Sequence, residues 1–292
     1  MPEWSVTKPL KLTLDDPVHS LRVRLVRGAV NVVGTDESAS RLEVTSVEGE
    51  PLEVTLEDGV LTVAYRDLPW HNVRKLLKRD SWRSSAVVSL AVPAGTTVRI
   101  GSVDAATTVS GVKGRTEVQG VNGDTTLVGL TGPVSASTVT GSVEAQALSG
   151  DLRFSSVGGD LTVVEGSSRS VHAESVTGSV MIDLGRTGPA DLELSNVSGE
   201  IAVRLPEPAD AEVHADTAAG SLANAFDELR VGGLPGTRRI TGRLGAGSGR
   251  IRATTVSGSI ALLRRPASPD TEAPDSGTPG TEKSDTPTEK VL

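Results

Sequence analysis

Cysteine is absent from the 292 residues, which excludes disulfides, thiolate metal sites and cysteine nucleophiles and fits a cytoplasmic protein. Aromatic residues are almost as scarce. Three Trp, two Phe and one Tyr are too few for an ordinary globular core but suit a narrow interior filled by Val, Leu and Ile. No stretch of eighteen apolar residues occurs, nor a positively charged start followed by an apolar run, so the sequence is expected neither to span a membrane nor to carry a standard secretion signal. The four His residues, His19, His71, His172 and His214, are scattered, and none stands at metal-ligand spacing with another His or a paired carboxylate. No metal, cofactor or catalytic residue is expected. The formal net charge of −8 argues against a broad nucleic-acid-binding surface.

Glycine, by contrast, is plentiful at 32 residues, and much of it keeps a beat. Gly114, Gly123, Gly132, Gly141, Gly150 and Gly159 recur every nine residues in the frame apolar-x-Gly-x-apolar-x-apolar. The units read VKGRTEV from Val112, VNGDTTL from Val121, LTGPVSA from Leu130, VTGSVEA from Val139, LSGDLRF from Leu148 and VGGDLTV from Val157. Positions five and seven share one face of a strand while position six faces water. An odd period would reverse the buried face in every unit unless a corner reset the parity, and glycine at position three supplies that corner. The frame returns with wider spacing at Gly178, Gly199, Gly220 and Gly258. The nonapeptide is half a coil: two short strands and two corners close each turn of a β-solenoid.

The framed glycines, the VxGxV repeats and the lead-in VPAGTTV at Val92–Val98 resemble the bacterial putative-adhesin β-strand-repeat family, a domain of unknown function. RGAVNVVG at Arg27–Gly34 is similar to that family's opening strand. The resemblance runs from about Leu10 to Leu262 and implies a β-solenoid; it brings no catalytic residue with it.

The expected class is therefore all-β, in three parts: a β-rich N-terminal region over residues 1–97, a solenoid over 98–263 and a disordered acidic tail over 264–292, rich in Pro, Ser, Thr, Asp and Glu. One break in the β pattern lies near residues 69–84. There Trp70, Val73 and Leu77 recur at helical spacing among His71, Arg74, Lys75, Lys78, Arg79 and Arg83, with Trp82 close by. This reads as a short basic amphipathic helix, either closing the end of the solenoid or meeting an acidic partner or an anionic membrane surface. Trp70, Arg74, Lys75, Lys78, Arg79, Trp82 and Arg83 are the partner-binding candidates.

Other polar residues read as structural. Asp124, Asp151 and Asp160 follow corner glycines and are expected to bond the backbone of their own turns. Ser110, Ser149, Ser198 and Ser257 recur at corners with no credible base beside them. The function expected is a non-enzymatic intracellular binding or assembly scaffold, with a protein partner or self-association. A peripheral membrane or envelope-associated factor is the alternative, and a carbohydrate-active β-helix enzyme comes third, on architecture alone.

Overall fold

The computed structural model describes residues 2–65, 84–185, 188–233 and 237–265. The expected basic helix, with all seven partner-binding candidates, and the tail beyond residue 265 lie outside the described residues.

Every element among the described residues is a strand. The N-terminal part contains β1 (Glu3–Val6), β2 (Leu10–Leu14), β3 (Ser20–Thr35), β4 (Ser40–Glu48), β5 (Leu52–Glu57), β6 (Val60–Tyr65), β7 (Ser85–Pro93) and β8 (Thr97–Ser110). Short pairs follow: β9 (Thr116–Asn122) with β10 (Thr125–Val128), β11 (Val134–Thr138) with β12 (Val143–Gln146), β13 (Leu152–Ser156) with β14 (Leu161–Gly166), and β15 (Ser170–Ser175) with β16 (Val180–Leu184). The C-terminal part adds β17 (Asp191–Asn196), β18 (Ile201–Leu205), β19 (Ala211–Thr217), β20 (Leu222–Asn224), β21 (Leu229–Gly232), β22 (Arg238–Leu244), β23 (Gly249–Thr255) and β24 (Ile260–Arg264).

Each short pair is one coil of a β-solenoid. On face A the strands run in parallel from the first half of β8 through β9, β11, β13, β15 and β17. On face B they run from the second half of β8 through β10, β12, β14, β16 and β18. Thr125 lies beside Val143 and Val143 beside Leu161, so two nonapeptides make a coil as the spacing predicts. Inward residues such as Leu152 and Phe154 are buried while Arg153 between them is exposed.

The long strands β3 and β8 each make a whole coil without interruption and pair with one another along both faces. They bend where two consecutive residues are buried, Leu25-Val26 and Ser102-Val103, which is the parity reset that the odd period demands. Beyond β3, β6 continues face A and β7 continues face B, both in parallel. Antiparallel strands finish the end: β5 and β1 on face A, β4 and β2 on face B. Asp58 and Gly59, both at positive φ, form the two-residue turn between β5 and β6 that their sequence predicts. One hydrophobic core runs unbroken from Val6 to Leu262.

Tyr65, the only tyrosine, closes β6 and is buried; among the described residues nothing hydrogen-bonds its hydroxyl. Burial, and then the nearby Glu50 carboxylate, push its phenol up to about 12. Because the folded protein resists forming the phenolate, this contribution to stability is present below pH 10 and is lost as pH rises from about 10 towards 12. Ultraviolet titration of the phenolate is expected to show a midpoint near 12. A midpoint near 10 in the folded protein would place the ring in water.

Candidate functional site

The nine-residue units fall alternately on two different corners, and the corners are built differently. Passing from face B to face A, the residue before the unit's first position is left-handed: Gly111, Gly129 and Ala147 have φ of 66°, 63° and 52°. The next side chain is thereby turned inward, and Val112, Leu130 and Leu148 are fully buried. Passing from face A to face B, a buried Ser or Thr precedes the same position on four of the valine corners and its hydroxyl accepts the amide of the corner glycine, while Gly120 and Asn196 stand there before Val121 and Val197. Thr138 takes Gly141 at 3.1 Å, Ser156 takes Gly159 at 2.7 Å, Ser175 takes Gly178 at 3.0 Å and Thr255 takes Gly258 at 3.1 Å. Such a turn uses the hydroxyl as a local substitute for backbone, and it leaves the intervening side chain pointing out.

That side chain is valine on six coils. Val121, Val139, Val157, Val176, Val197 and Val256 are 40–53% exposed, and each is tied to the next through the corner backbone. The amides of Thr140, Gly158, Thr177, Ser198 and Ser257 donate to the carbonyls of Val121, Val139, Val157, Val176 and Val197. At about 4.8 Å per rung the six form a straight apolar ridge about 24 Å long. The ridge is edged by small polar residues, among them Asn122, Thr140, Thr177, Ser198 and Ser257. Nothing in the period distinguishes these valines from Val112: the signal was the Ser or Thr just before Val139, Val157, Val176 and Val256 against the Gly or Ala before Val112, Leu130 and Leu148, and it is lacking at Val121, which follows Gly120, and at Val197, which follows Asn196.

All ten predicted corner glycines sit at corners, for a reason beyond turning the chain. A Cβ on Gly141 would lie 2.0 Å from the Gly123 carbonyl oxygen, and one on Gly150 would lie 1.8 Å from that of Gly132. Each glycine is what lets one coil settle on the last. The aspartates differ from expectation in their partners. The Asp124 carboxylate accepts the amide of Ser142 at 3.1 Å and that of Asp160 accepts Ser179 at 2.7 Å, so they bond the following coil and not their own turn. Stacking brings that amide within reach, because the next coil's corner lies directly over the carboxylate. Asp210 likewise accepts the amide of Ser248, on the rung stacked before its own, at 3.0 Å, and this amide holds its carboxyl below the usual range. Asp151 is exposed on the opposite corner.

Stacking also assembles what the sequence scatters. His172 on β15 has Nε2 at 3.0 Å from Glu174 and Nδ1 at 3.2 Å from Glu193, which lies on the next rung. His214 lies 3.6 Å from Glu212 on the same face, two rungs beyond Glu193. These are polar arrays on the outer face, and among the described residues no group of three His, Cys, Asp or Glu could hold a metal. His19 packs under Gly59, and His71 lies outside the described residues. Ser110 ends β8, while Ser149, Ser198 and Ser257 donate their amides to the preceding coil.

The family model described as Toastrack DUF4097 matches residues 84–263, more than half of the chain. The chain belongs to that family. The Toastrack match begins at the strand leading into β8 and ends within β24, so it takes in every coil that carries the ridge. Solved structures align with the chain at low identity. A putative cell adhesion protein from Clostridium sporogenes aligns at 12% identity over 88% of this chain and 100% of its own, with a TM-score of 0.26. A putative lipid binding protein from Parabacteroides distasonis aligns at 12% over 89% and 98%, with a TM-score of 0.42. A putative adhesin from Parabacteroides merdae aligns at 12% over 88% and 96%, with a TM-score of 0.37. Among curated proteins none matches.

Proposed function

We propose that this Toastrack chain is a non-enzymatic binding scaffold whose working surface is the valine ridge. The observation that carries the reading is the ridge itself: six equally stepped apolar side chains left in water by a corner design that could have buried them, as the opposite corner does. Each valine offers a small contact, and a ligand lying along the edge sums several of them in one register. The acidic side chains nearest the ridge bond backbone, and Asp124 and Asp160 lie two rungs apart, about 10 Å, which does not suit a shared catalytic ion.

A peripheral membrane role has one placement in its favour. The corner column that carries the ridge runs in register on to Val103 and to Val26 at the bend of β3, where both side chains are buried. There β6 pairs up to Ala64 opposite Arg24, and β7 starts with Ser85 opposite Arg27. The chain thus leaves and rejoins the described fold beside the same corner column, two rungs from Val121, on either side of the sequence that holds Trp70, Trp82 and the basic residues.

One experiment addresses both readings. The tagged full-length chain is crosslinked mildly in its native cell and captured from soluble and membrane fractions separately, beside a Val139→Ser, Val157→Ser, Val176→Ser variant. These exposed changes are expected to move stability by no more than about 0.5 kcal/mol each. Stoichiometric recovery of a soluble partner by the wild type and its loss in the variant is the expected result. Equal recovery by both sinks the ridge as the binding surface, and enrichment with membranes instead of a soluble partner moves the assignment to the second reading.

A further inference from the structure

The rungs stop following chain order near the C-terminal end. β17 and β18 form one coil and β19 and β20 the next in sequence, yet β23 and β24 lie between them. β23 pairs in parallel with β17 on one side and β19 on the other, and β24 does the same with β18 and β20. The corner repeats the order, since Ser257 donates to Val197 and Ala219 donates to Val256. The five residues Pro206–Asp210 therefore step over a rung, a rise of about 10 Å that such a length can span. The chain completes the far coil, adds β22 and β21 in antiparallel fashion, and only then fills the place it skipped.

What recognises the filling coil is main chain on both flanks together with its buried side chains Ile251, Ala253, Ile260 and Leu262 and the ion pair of Arg264 with Glu207. Both flanks are parallel strands with the same corner pattern. A Cβ on Gly258 would lie 1.8 Å from the Gly199 carbonyl oxygen, and one on Gly220 would lie 1.7 Å from that of Gly258, so glycine fits against glycine on both sides. None of these contacts depends on which molecule supplies the coil. Its covalent tie to the neighbouring rungs is the link Gly245-Ala246-Gly247-Ser248, which must cross β19. Gly245 and Gly247 are left-handed, at φ of 57° and 74°, and the link is fastened by the exposed bond from the Ser248 amide to Asp210. Short hinges of this kind favour exchange of an element between molecules, and a chain without cysteine has no disulfide to prevent it.

We propose that the coil Gly249–Arg264 is an exchangeable rung, and that the slot between β17–β18 and β19–β20 accepts this coil from a second copy of the same chain, giving a reciprocally swapped dimer. Ser195 and Thr254 are register partners on β17 and β23 with side chains on the outer face, so a thiol at each reports the occupant's origin. Ser195→Cys and Thr254→Cys are placed in separate full-length chains, mixed in equal amounts, warmed to just below the unfolding transition at high protein concentration, cooled and oxidised. Disulfide-linked species are then separated under non-reducing conditions and identified by peptide mass. The expected result is that nearly all linked dimer joins position 195 to position 254, against the half that random pairing of equal amounts gives. A single chain carrying both substitutions, oxidised before warming, is expected to stay monomeric. Monomers alone, or the three possible linkages in random proportions, overturn the proposal. Glu193→Cys with Arg252→Cys, the adjacent register pair, repeats the test at a second position should either first variant fail to fold.

Discussion

Gly150→Ala is expected to cost about 3 kcal/mol or more, a large effect for a single methyl group at a surface corner. The new Cβ would lie 1.8 Å from the Gly132 carbonyl oxygen, 2.5 Å from its carbon and 2.9 Å from the Thr131 oxygen. All three are backbone, so no side chain can swing aside. Relief requires the two coils to part, and the bonds that join them here, from the Ser149 amide to Leu130 and from the Val134 amide to Asp151, stretch together. Overpacking alone costs about 1–3 kcal/mol, and each backbone bond lost adds roughly 1 kcal/mol. Gly95→Ala is the matched control. Its Cβ would meet nothing within 4 Å and its φ is not left-handed, so restricting the unfolded chain is expected to make it neutral or stabilising by about 0.4–1 kcal/mol. Urea unfolding midpoints of the two variants separate the effects. Equal midpoints would mean that coil stacking is not limited by the glycine ladder.

The contrast between these glycines shows what one-dimensional spacing carries. A strict period reports that the chain returns to an equivalent place, so the β-solenoid, its two strands per coil and its Gly123 and Gly141 corners were readable from residues alone. Period says nothing about relations between rungs. The Asp124 and Asp160 carboxylates were assigned to their own turns because only the neighbouring sequence is visible, whereas their partners stand a coil away. Likewise His172 and Glu193 are far apart in sequence and adjacent in register. The ridge valines were hidden differently, since Val112 and Val121 occupy the same place in the frame and part company only through the residue before each: a left-handed glycine at 111, an extended one at 120. Least visible was the displaced order of β23 and β24, because interchangeable corner motifs permit either stacking and the choice rests on the lengths of two short links.

Phe154→Asp is expected to be the most damaging single change, and its damage should spread over several coils. In the inward ladder of face A, Phe154 stands between Ala136 and Ala173, and the face B residue at the equivalent place in the nonapeptide before it is Ala145. One large ring thus serves where three neighbours supply only methyl groups, and it is fully buried. Removing it alone costs about 3–5 kcal/mol. Setting a carboxylate in the same place adds several kcal/mol, because no cation or donor is built to meet it. The sum is comparable to the whole stability of a typical domain, about 5–15 kcal/mol. In a stacked architecture each rung is held by its neighbours, so amide exchange protection is expected to fall together across β11, β13 and β15 and their face B counterparts, while β3 and β7 retain theirs longer. Phe154→Leu, which keeps most of the apolar volume, is expected to lose about 1–2 kcal/mol and to keep protection throughout. Protection lost only in β13 would show that coils in this chain melt one at a time, and an unchanged melting transition would mean that position 154 does not face the interior.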